Sequence, residues 1–440
     1  MKRYCVTFFL IIGNISMAQK VQFEEYDLAN GLHVILHQDA SAPVVVTSVM
    51  YHVGAKDETP DRTGFAHFFE HLLFEGTQNI GRGDWFKIVS SNGGTNNANT
   101  SDDRTYYYEV FPSNNLKLAL WMESERMLHP VINQIGVDTQ NEVVKEEKRQ
   151  NVDNRPYGNV IKAVKENMFV NHPYRWTTIG EMEHLDAATL EEFLAFNKKY
   201  YIPNNAVLVV AGDFKKSEAK EWIEQYFGSI PKGEPIVRKT HAEKEIAQPI
   251  KAQYFDANIQ IPMMVTSYRT PSMKSREARV LDMISSLLSD GKSSKLYKRL
   301  VDDKKMALQI GSFNFSQEDF GMYIIYGLPM TGFTNADLIK EIDDEIQKLQ
   351  TELISERDFE KLQNMFENKY VNSNATLEGV ASNLATYYLL YKKVDLINEE
   401  IDLIRSISRK EIQEVARKYL QSQQRLLLDY LPKVAEKIAK

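Results

Sequence analysis

The chain has 440 residues, of which 43% are hydrophobic and 26% charged, ordinary fractions for a globular protein long enough for more than one domain. Its formal net charge of −7 gives no electrostatic footprint for nucleic acid. The one cysteine, Cys5, excludes a disulfide framework.

The first element is a leader. Lys2 and Arg3 precede an apolar run, Val6 to Ile12, and then Ser16-Met17-Ala18. That order is the pattern of a secretory signal peptide over residues 1–18, cleaved after Ala18. The run is too short to span a bilayer. Removal of Lys2 and Arg3 takes the net charge from −7 to −9 and leaves no cysteine. No later segment is apolar enough for a transmembrane helix. The expected product is exported, to the periplasm or outside the cell, with no membrane insertion of the mature chain.

Two long segments follow. The first, residues 21–230, opens with strand-like alternation at Leu32 to Leu36 and an apolar run at Pro43 to Val53. A helix is expected over His67 to Phe74, a Gly/Asn turn over Asn92 to Asn97, and a strand over Thr105 to Val110. Helices follow at about Leu116 to Leu128, Val137 to Val152 and Leu190 to Tyr201, the last capped by Asp186 or Thr189. Ala206 to Val210 reads as a short buried strand. Residues 231–248 are polar, with Pro231, Gly233 and Pro235, and read as a linker. The second segment is residues 249–432.

The halves repeat each other. Pro43-Val-Val-Val-Thr-Ser48 matches Pro262-Met-Met-Val-Thr-Ser267. His71-Leu-Leu-Phe-Glu-Gly76 matches Ser286-Leu-Leu-Ser-Asp-Gly291, and Leu185 to Phe193 matches Ile407 to Val415. Their common order indicates an internal duplication. No glycine-rich nucleotide loop follows a strand, and Gly291-Lys-Ser-Ser294 lacks the upstream glycines of a phosphate loop. The fold class expected is α+β, as two homologous domains, each a mostly antiparallel sheet packed with helices.

His67-Phe-Phe-Glu70-His71 carries the chemistry. Residues i and i+4 share a helical face, so both imidazoles can meet one metal. Glu70 lies on the same side, in the order HxxEH, the reverse of HExxH. Neutral imidazoles suit zinc, and a carboxylate beside zinc-bound water can act as general base. A third ligand is needed. The acidic segment Glu142-Val-Val-Lys-Glu146-Glu147 is the best supplier, but periodicity does not choose among Glu142, Glu146 and Glu147.

With these motifs the chain resembles the pitrilysin-type metallopeptidases, in particular the processing-peptidase-like members of about this length. The resemblance covers essentially the whole mature chain. In that family a zinc-ligand glutamate follows the second histidine by 76 positions, which here is Glu147. One zinc per chain, held by His67, His71 and Glu147 with Glu70 as general base, is what the resemblance implies. The family often has a second glutamate seven residues before the ligand, where this chain has Gln140.

Gly93-Gly-Thr-Asn-Asn97-Ala98-Asn-Thr100 is similar to a family segment that forms an edge strand to which a peptide substrate adds. Asn97, Ala98 and Thr100 are its candidate residues. Asn154-Arg-Pro-Tyr-Gly158 and His172-Pro-Tyr174 also look like family segments, with His172 expected to be structural.

The second half has no HxxEH. Asp282 falls opposite His67 and Ser285 opposite Glu70, so this half is expected to keep the fold and lose the metal. Two-domain members pair with an identical chain or a related inactive one around a closed chamber. The resemblance therefore implies a zinc endopeptidase acting on peptides or unfolded segments, as a homodimer or with such a partner.

Overall fold

A computed structural model describes residues 20–433; the leader assigned to residues 1–18 lies outside them. The strands build two sheets. The first contains β1 (Glu24–Asp27), β2 (His33–Gln38), β3 (Val44–Tyr51), β4 (Thr95–Thr100), β5 (Thr105–Pro112) and β6 (Ala206–Gly212), in the spatial order β1-β2-β6-β3-β5-β4. The second contains β7 (Ile250–Asp256), β8 (Met263–Thr270), β9 (Ala307–Ser316), β10 (Gly321–Pro329) and β11 (Arg425–Pro432), in the order β7-β11-β8-β10-β9. Neighbours are antiparallel except β2 with β6 and β7 with β11.

Without β1, the two orders coincide strand for strand. The matched segments at Pro43 and Pro262 fall on β3 and β8, which hold the same central place in their sheets. The fold is α+β, two mostly antiparallel sheets packed with helices.

The first half carries α1 (Phe65–Leu72), α2 (Trp85–Ser91), α3 (Leu116–Leu128), α4 (Gln134–Lys148), α5 (Val160–Met168), α6 (Met182–Ala187), α7 (Leu190–Tyr200) and α8 (Lys216–Phe227). The second carries α9 (Arg276–Ser289), α10 (Asn335–Thr351), α11 (Glu356–Ser373), α12 (Leu377–Thr386), α13 (Leu396–Ser406) and α14 (Arg409–Tyr419). On one face of the first sheet, Val34, Leu36, Val45 and Val49 pack with Phe65, Phe68, Phe69, Leu120, Phe193 and Ile223.

The other face of that sheet is covered from the far half of the chain. Ile35, Val46, Met50, Val207 and Val209 meet Val380, Ala381 and Leu384 of α12 and Leu389 and Leu390 beyond it. The exchange is mutual: Ala163, Val164 and Met168 of α5 cover Val265, Met322, Ile324, Leu426 and Leu428 of the second sheet. Strands buried on both faces read as unbroken apolar runs, which is why β6 looks so uniform in sequence. Each large aliphatic side chain buried in this exchange contributes roughly 1.5–3 kcal/mol, so the halves are held together by several such terms.

Residues 231–248 form an extended strap. Ile236 packs on the first core and Ile246 on the second sheet's α5 face. The Glu243 Oε1 accepts from the amides of Val170, Asn171 and His172 at 2.9, 2.6 and 2.6 Å.

Three local expectations change. The turn read over Asn92 to Asn97 ends at Gly94, and Thr95 begins β4. Polar composition signalled a turn, but a sheet edge also tolerates it. The metal helix spans 65–72 rather than 67–74, because Phe65 supplies its first buried residue. The helix expected over 137–152 starts at Gln134, where the Asn133 side chain caps Gly136 N at 2.9 Å. It gives way after Lys148 to a wide turn, Arg149–Asp153. Of the two caps read for α7, Thr189 is the one used, in a reciprocal pair with Glu192.

Candidate metal centre

The metal helix has two faces. Phe65, Phe68, Phe69 and Leu72 recur at helical spacing and are buried, and they fix the roll of α1 about its axis. His67, Glu70 and His71 are thereby turned to the opposite, half-exposed side. Gly64 enters the helix at φ 95°, a left-handed conformation that favours glycine. A Cβ there would stand 2.8 Å from Ile179 O. The free amides of the first turn are taken by Glu58, whose carboxylate accepts from Gly64 N at 2.9 Å and Ala66 N at 2.8 Å. At the other end, the Tyr107 hydroxyl donates to Phe69 O at 2.8 Å.

Helix α4 lies across α1 and brings in the third group. Glu147 Oε2 is 3.5 Å from His67 Nε2 and 3.2 Å from His71 Nε2. Glu142 and Glu146, the other two candidates, point away: their side chains are 72% and 53% exposed against 33% for Glu147, and they pair with Lys145 and Arg149. His67, His71 and Glu147 are the one group of three metal-ligating side chains found together among the described residues.

The spacing suits zinc. Donors bound at about 2.0–2.1 Å in a tetrahedron stand about 3.3 Å apart, close to the 3.5 and 3.2 Å from Glu147 to the two imidazoles. Burial, with His71 beside it, pushes the His67 imidazole down to about 4 against the pull of Glu147, so it is neutral at pH 7 as a ligand must be. Hydrogen bonding to His71 leads the effects that hold Glu147 below the usual glutamate range, so it is ionised.

Glu70 sits between this group and the sheet edge. Its carboxylate accepts from the Thr100 hydroxyl at 2.7 Å. Burial raises its pKa and the Thr100 bond opposes that shift. Thr100 is the last residue of β4, the outermost strand of its sheet. Asn96, Ala98 and Thr100 are half-buried, while Asn97 and Asn99 are exposed. The Asn97 side chain accepts from Ala98 N at 2.9 Å. Of the edge residues singled out from sequence, Thr100 bonds Glu70, and Asn97 and Ala98 lie farther back along the same strand. The Thr100–Glu70 bond and the Glu58 cap had no sequence signal beyond residue type.

Gln140 does not reach the imidazoles. It lies two turns before Glu147, and its Nε2 donates to Glu75 Oε1 at 2.5 Å. Glu75 also accepts from Arg82. A glutamate at 140 would therefore face Glu75 across a hydrogen-bond distance. Gln140→Glu is expected to cost about 1–2 kcal/mol at pH 7 through the lost bond and like-charge contact. Denaturant unfolding should show the loss, and its recovery near pH 4, with metal content unchanged.

His172 stands apart from the metal group. Its Nδ1 accepts from Tyr174 N at 3.1 Å and its Nε2 is 3.3 Å from Asp319 Oδ2. At the matching place in the second half, Asp282 accepts from Asn314 Nδ2 at 3.0 Å. Ser285 Oγ donates to Ser312 O at 2.9 Å. No three ligands gather there.

Burial pushes the Asp282 carboxyl up to about 6, against the Asn314 bond. The unfolded chain releases this proton near pH 4, so the group costs stability as pH rises from 4 through 6, and in full above 6. Asp282→Asn is expected to stabilise the protein by about 1–2 kcal/mol at pH 7, with no gain at pH 4. Thermal unfolding at the two pH values measures it.

The family model described as insulinase, peptidase family M16, matches residues 33–181, and the one described as peptidase M16 inactive domain matches residues 187–366. The zinc protease PqqE of Helicobacter pylori is 30% identical over 367 residues, covering 83% of each chain. The uncharacterized zinc protease YmxG of Bacillus subtilis is 24% identical over 90% of this chain and 95% of its own. Among solved structures, a protease from Helicobacter pylori superposes with a TM-score of 0.89 at 28% identity, over 93% of this chain and 99% of that one. The periplasmic protease PqqL of Escherichia coli gives 0.79 at 19% identity, over 96% of this chain and 49% of that one, a likeness of fold.

Proposed function

The chain belongs to peptidase family M16, and from that premise we propose that it is a zinc-dependent endopeptidase, with Glu70 as general base. The convergence of His67 Nε2, His71 Nε2 and Glu147 Oε2 beside a free sheet edge carries this reading. Two imidazoles and one carboxylate are the donor set of a catalytic zinc with an open position. Zinc held there supplies a Lewis acid and lowers the pKa of water it binds.

The chain's own residues do the rest. An extended peptide pairs with β4 through main-chain hydrogen bonds, so its sequence is weakly specified. The exposed Asn97 gives up Ala98 N to that strand. Glu70, aimed by Thr100, takes a proton from the attacking water and delivers it to the leaving amine.

An exported, periplasmic site of action accords with the leader pattern and with the periplasmic PqqL relative. Pairing with a second copy, or with a related inactive chain, would close the chamber around the site.

Zinc analysis of the mature protein, with hydrolysis of a mixed peptide library, tests the reading. One zinc per chain and cleavage abolished by chelation are expected. His71→Ala should lose the metal. Cleavage that survives complete zinc removal would overturn it. Mass in solution reports the pairing.

A further inference from the structure

The tip of a hairpin is normally the most exposed part of a sheet. In the tip between β9 and β10, Asp319 is exposed but Gln317 and Glu318 are buried. They are buried in the other half of the molecule, against the loops that flank the metal group.

One of those loops joins β4 to β5 and begins immediately after Thr100. Gln317 Nε2 donates to Asp102 there. Glu318 N donates to Asp103 Oδ2 at 2.9 Å. The other Asp103 oxygen accepts from the Tyr174 hydroxyl at 2.5 Å, and Tyr174 in turn accepts from Asp319 N at 3.1 Å. Asp102 is also held from α5 by Lys165 at 2.7 Å.

The second loop runs from β3 to α1. The Glu318 carboxylate binds His52 Nε2 at 2.7 Å and Lys56 Nζ at 2.6 Å. Lys56 Nζ also lies 2.9 Å from Asp103, so it bridges the two loops. The backbones join as well, with Ala55 N to Ser101 O at 3.2 Å and Lys56 N to Asp102 O at 2.9 Å. Gly54 allows this approach, since a Cβ there would stand 2.5 Å from Asp102 O. Two residues after Lys56 comes Glu58, the cap of α1.

The same tip therefore fixes the carrier of Thr100, which aims Glu70, and the carrier of Glu58, which anchors the metal helix. Its own backbone is tied down in the second half: Gln317 O accepts from Met273 N at 2.8 Å and Glu318 O from the Ser272 hydroxyl at 2.5 Å.

We propose that Gln317 and Glu318, in the half without metal ligands, are positioning residues that hold the general base and the metal helix in register. The inference rests on the peptidase reading for its kinetic consequence. Neither residue touches substrate or metal; each acts through Thr100 and Glu58.

Gln317→Met tests it with no change of charge, since Asp102 keeps Lys165. In the full mature protein, kcat should fall about three- to thirtyfold, with KM and zinc content unchanged. Thr100→Val should lower kcat by a similar factor, and the double variant should be no slower than Thr100→Val alone. Amide hydrogen exchange at residues 95–104 and 58–66 should quicken, with β7 and β11 unaffected. Glu318→Gln, should it fold, gives the same pattern with a larger fall, and restoring glutamate-like charge with Glu318→Asp recovers part of it.

Wild-type exchange at both segments in Gln317→Met overturns the inference, whether or not the protein cleaves peptides. So does additivity of the two kcat effects. A wild-type protein that binds zinc yet cleaves nothing overturns the peptidase reading instead, and the exchange result still decides this one.

Discussion

Glu70→Gln is expected to lower kcat by about 10²–10⁴-fold, the usual worth of a positioned general base, while the protein keeps its zinc and its fold. The amide matches the carboxylate in shape, and its oxygen can still accept from the Thr100 hydroxyl, which now bonds Glu70 at 2.7 Å. Glu70 is not among the three converging donors, so the metal affinity should hold. Burial already disfavours the charged form of Glu70, so neutralising it should not destabilise the helix. What is lost is the basic lone pair alone. The loss amounts to about 3–5 kcal/mol of barrier, far above any packing effect of so small a change. Single-turnover hydrolysis with parallel zinc analysis measures both quantities. A variant with full zinc and wild-type turnover would remove Glu70 from the chemistry.

That prediction uses a site whose centre is plain in the sequence and whose surroundings are not. His67, Glu70 and His71 are legible because a single helix turn places them, and the four apolar residues between and around them set the facing. Glu147 is harder. Helix α4 carries three acidic candidates, and the paired Val143 and Val144 blur its apolar stripe. In the fold Val144 is buried and Val143 is 43% exposed, so the inward line runs through Gln140, Val144 and Glu147. Periodicity could not tell which valine faced α1; only the family spacing did.

The tie from Gln317 to Asp102 crosses 215 residues, and no local pattern marks it. The exchange of α5 and α12 between sheets is invisible for the same reason. Even where an amphipathic helix is recognised, amphipathicity does not say whose sheet its apolar face covers.

Arg126 is the extreme case of a feature hidden from sequence. It lies in the helix expected over Leu116 to Leu128, where an arginine is ordinarily exposed, yet its side chain is 0% exposed, as are those of Glu109 and Glu123. One of its terminal nitrogens lies 2.8 Å from Glu109 and 3.0 Å from Glu123. Its guanidinium lies 4.0–4.4 Å from the ring centroids of Phe74, Trp85 and Tyr107. Tyr107 is the residue that bonds the end of the metal helix, so the cluster backs the site.

Burial pushes the Glu109 carboxyl well above the usual range, and the Glu123 charge beside it adds to that, against the pull of Arg126. The neutral form of Glu109 is therefore favoured beside Arg126. Two substitutions should then differ sharply. Arg126→Met leaves two carboxyls buried without a cation and is expected to cost about 3–5 kcal/mol. Glu109→Gln replaces a group whose neutral form burial favours, and is expected to change stability by less than about 1 kcal/mol. Denaturant unfolding of the pair at pH 7 measures the contrast. Equal losses in both variants would mean that Glu109 is ionised and that the arginine neutralises it as a simple ion pair.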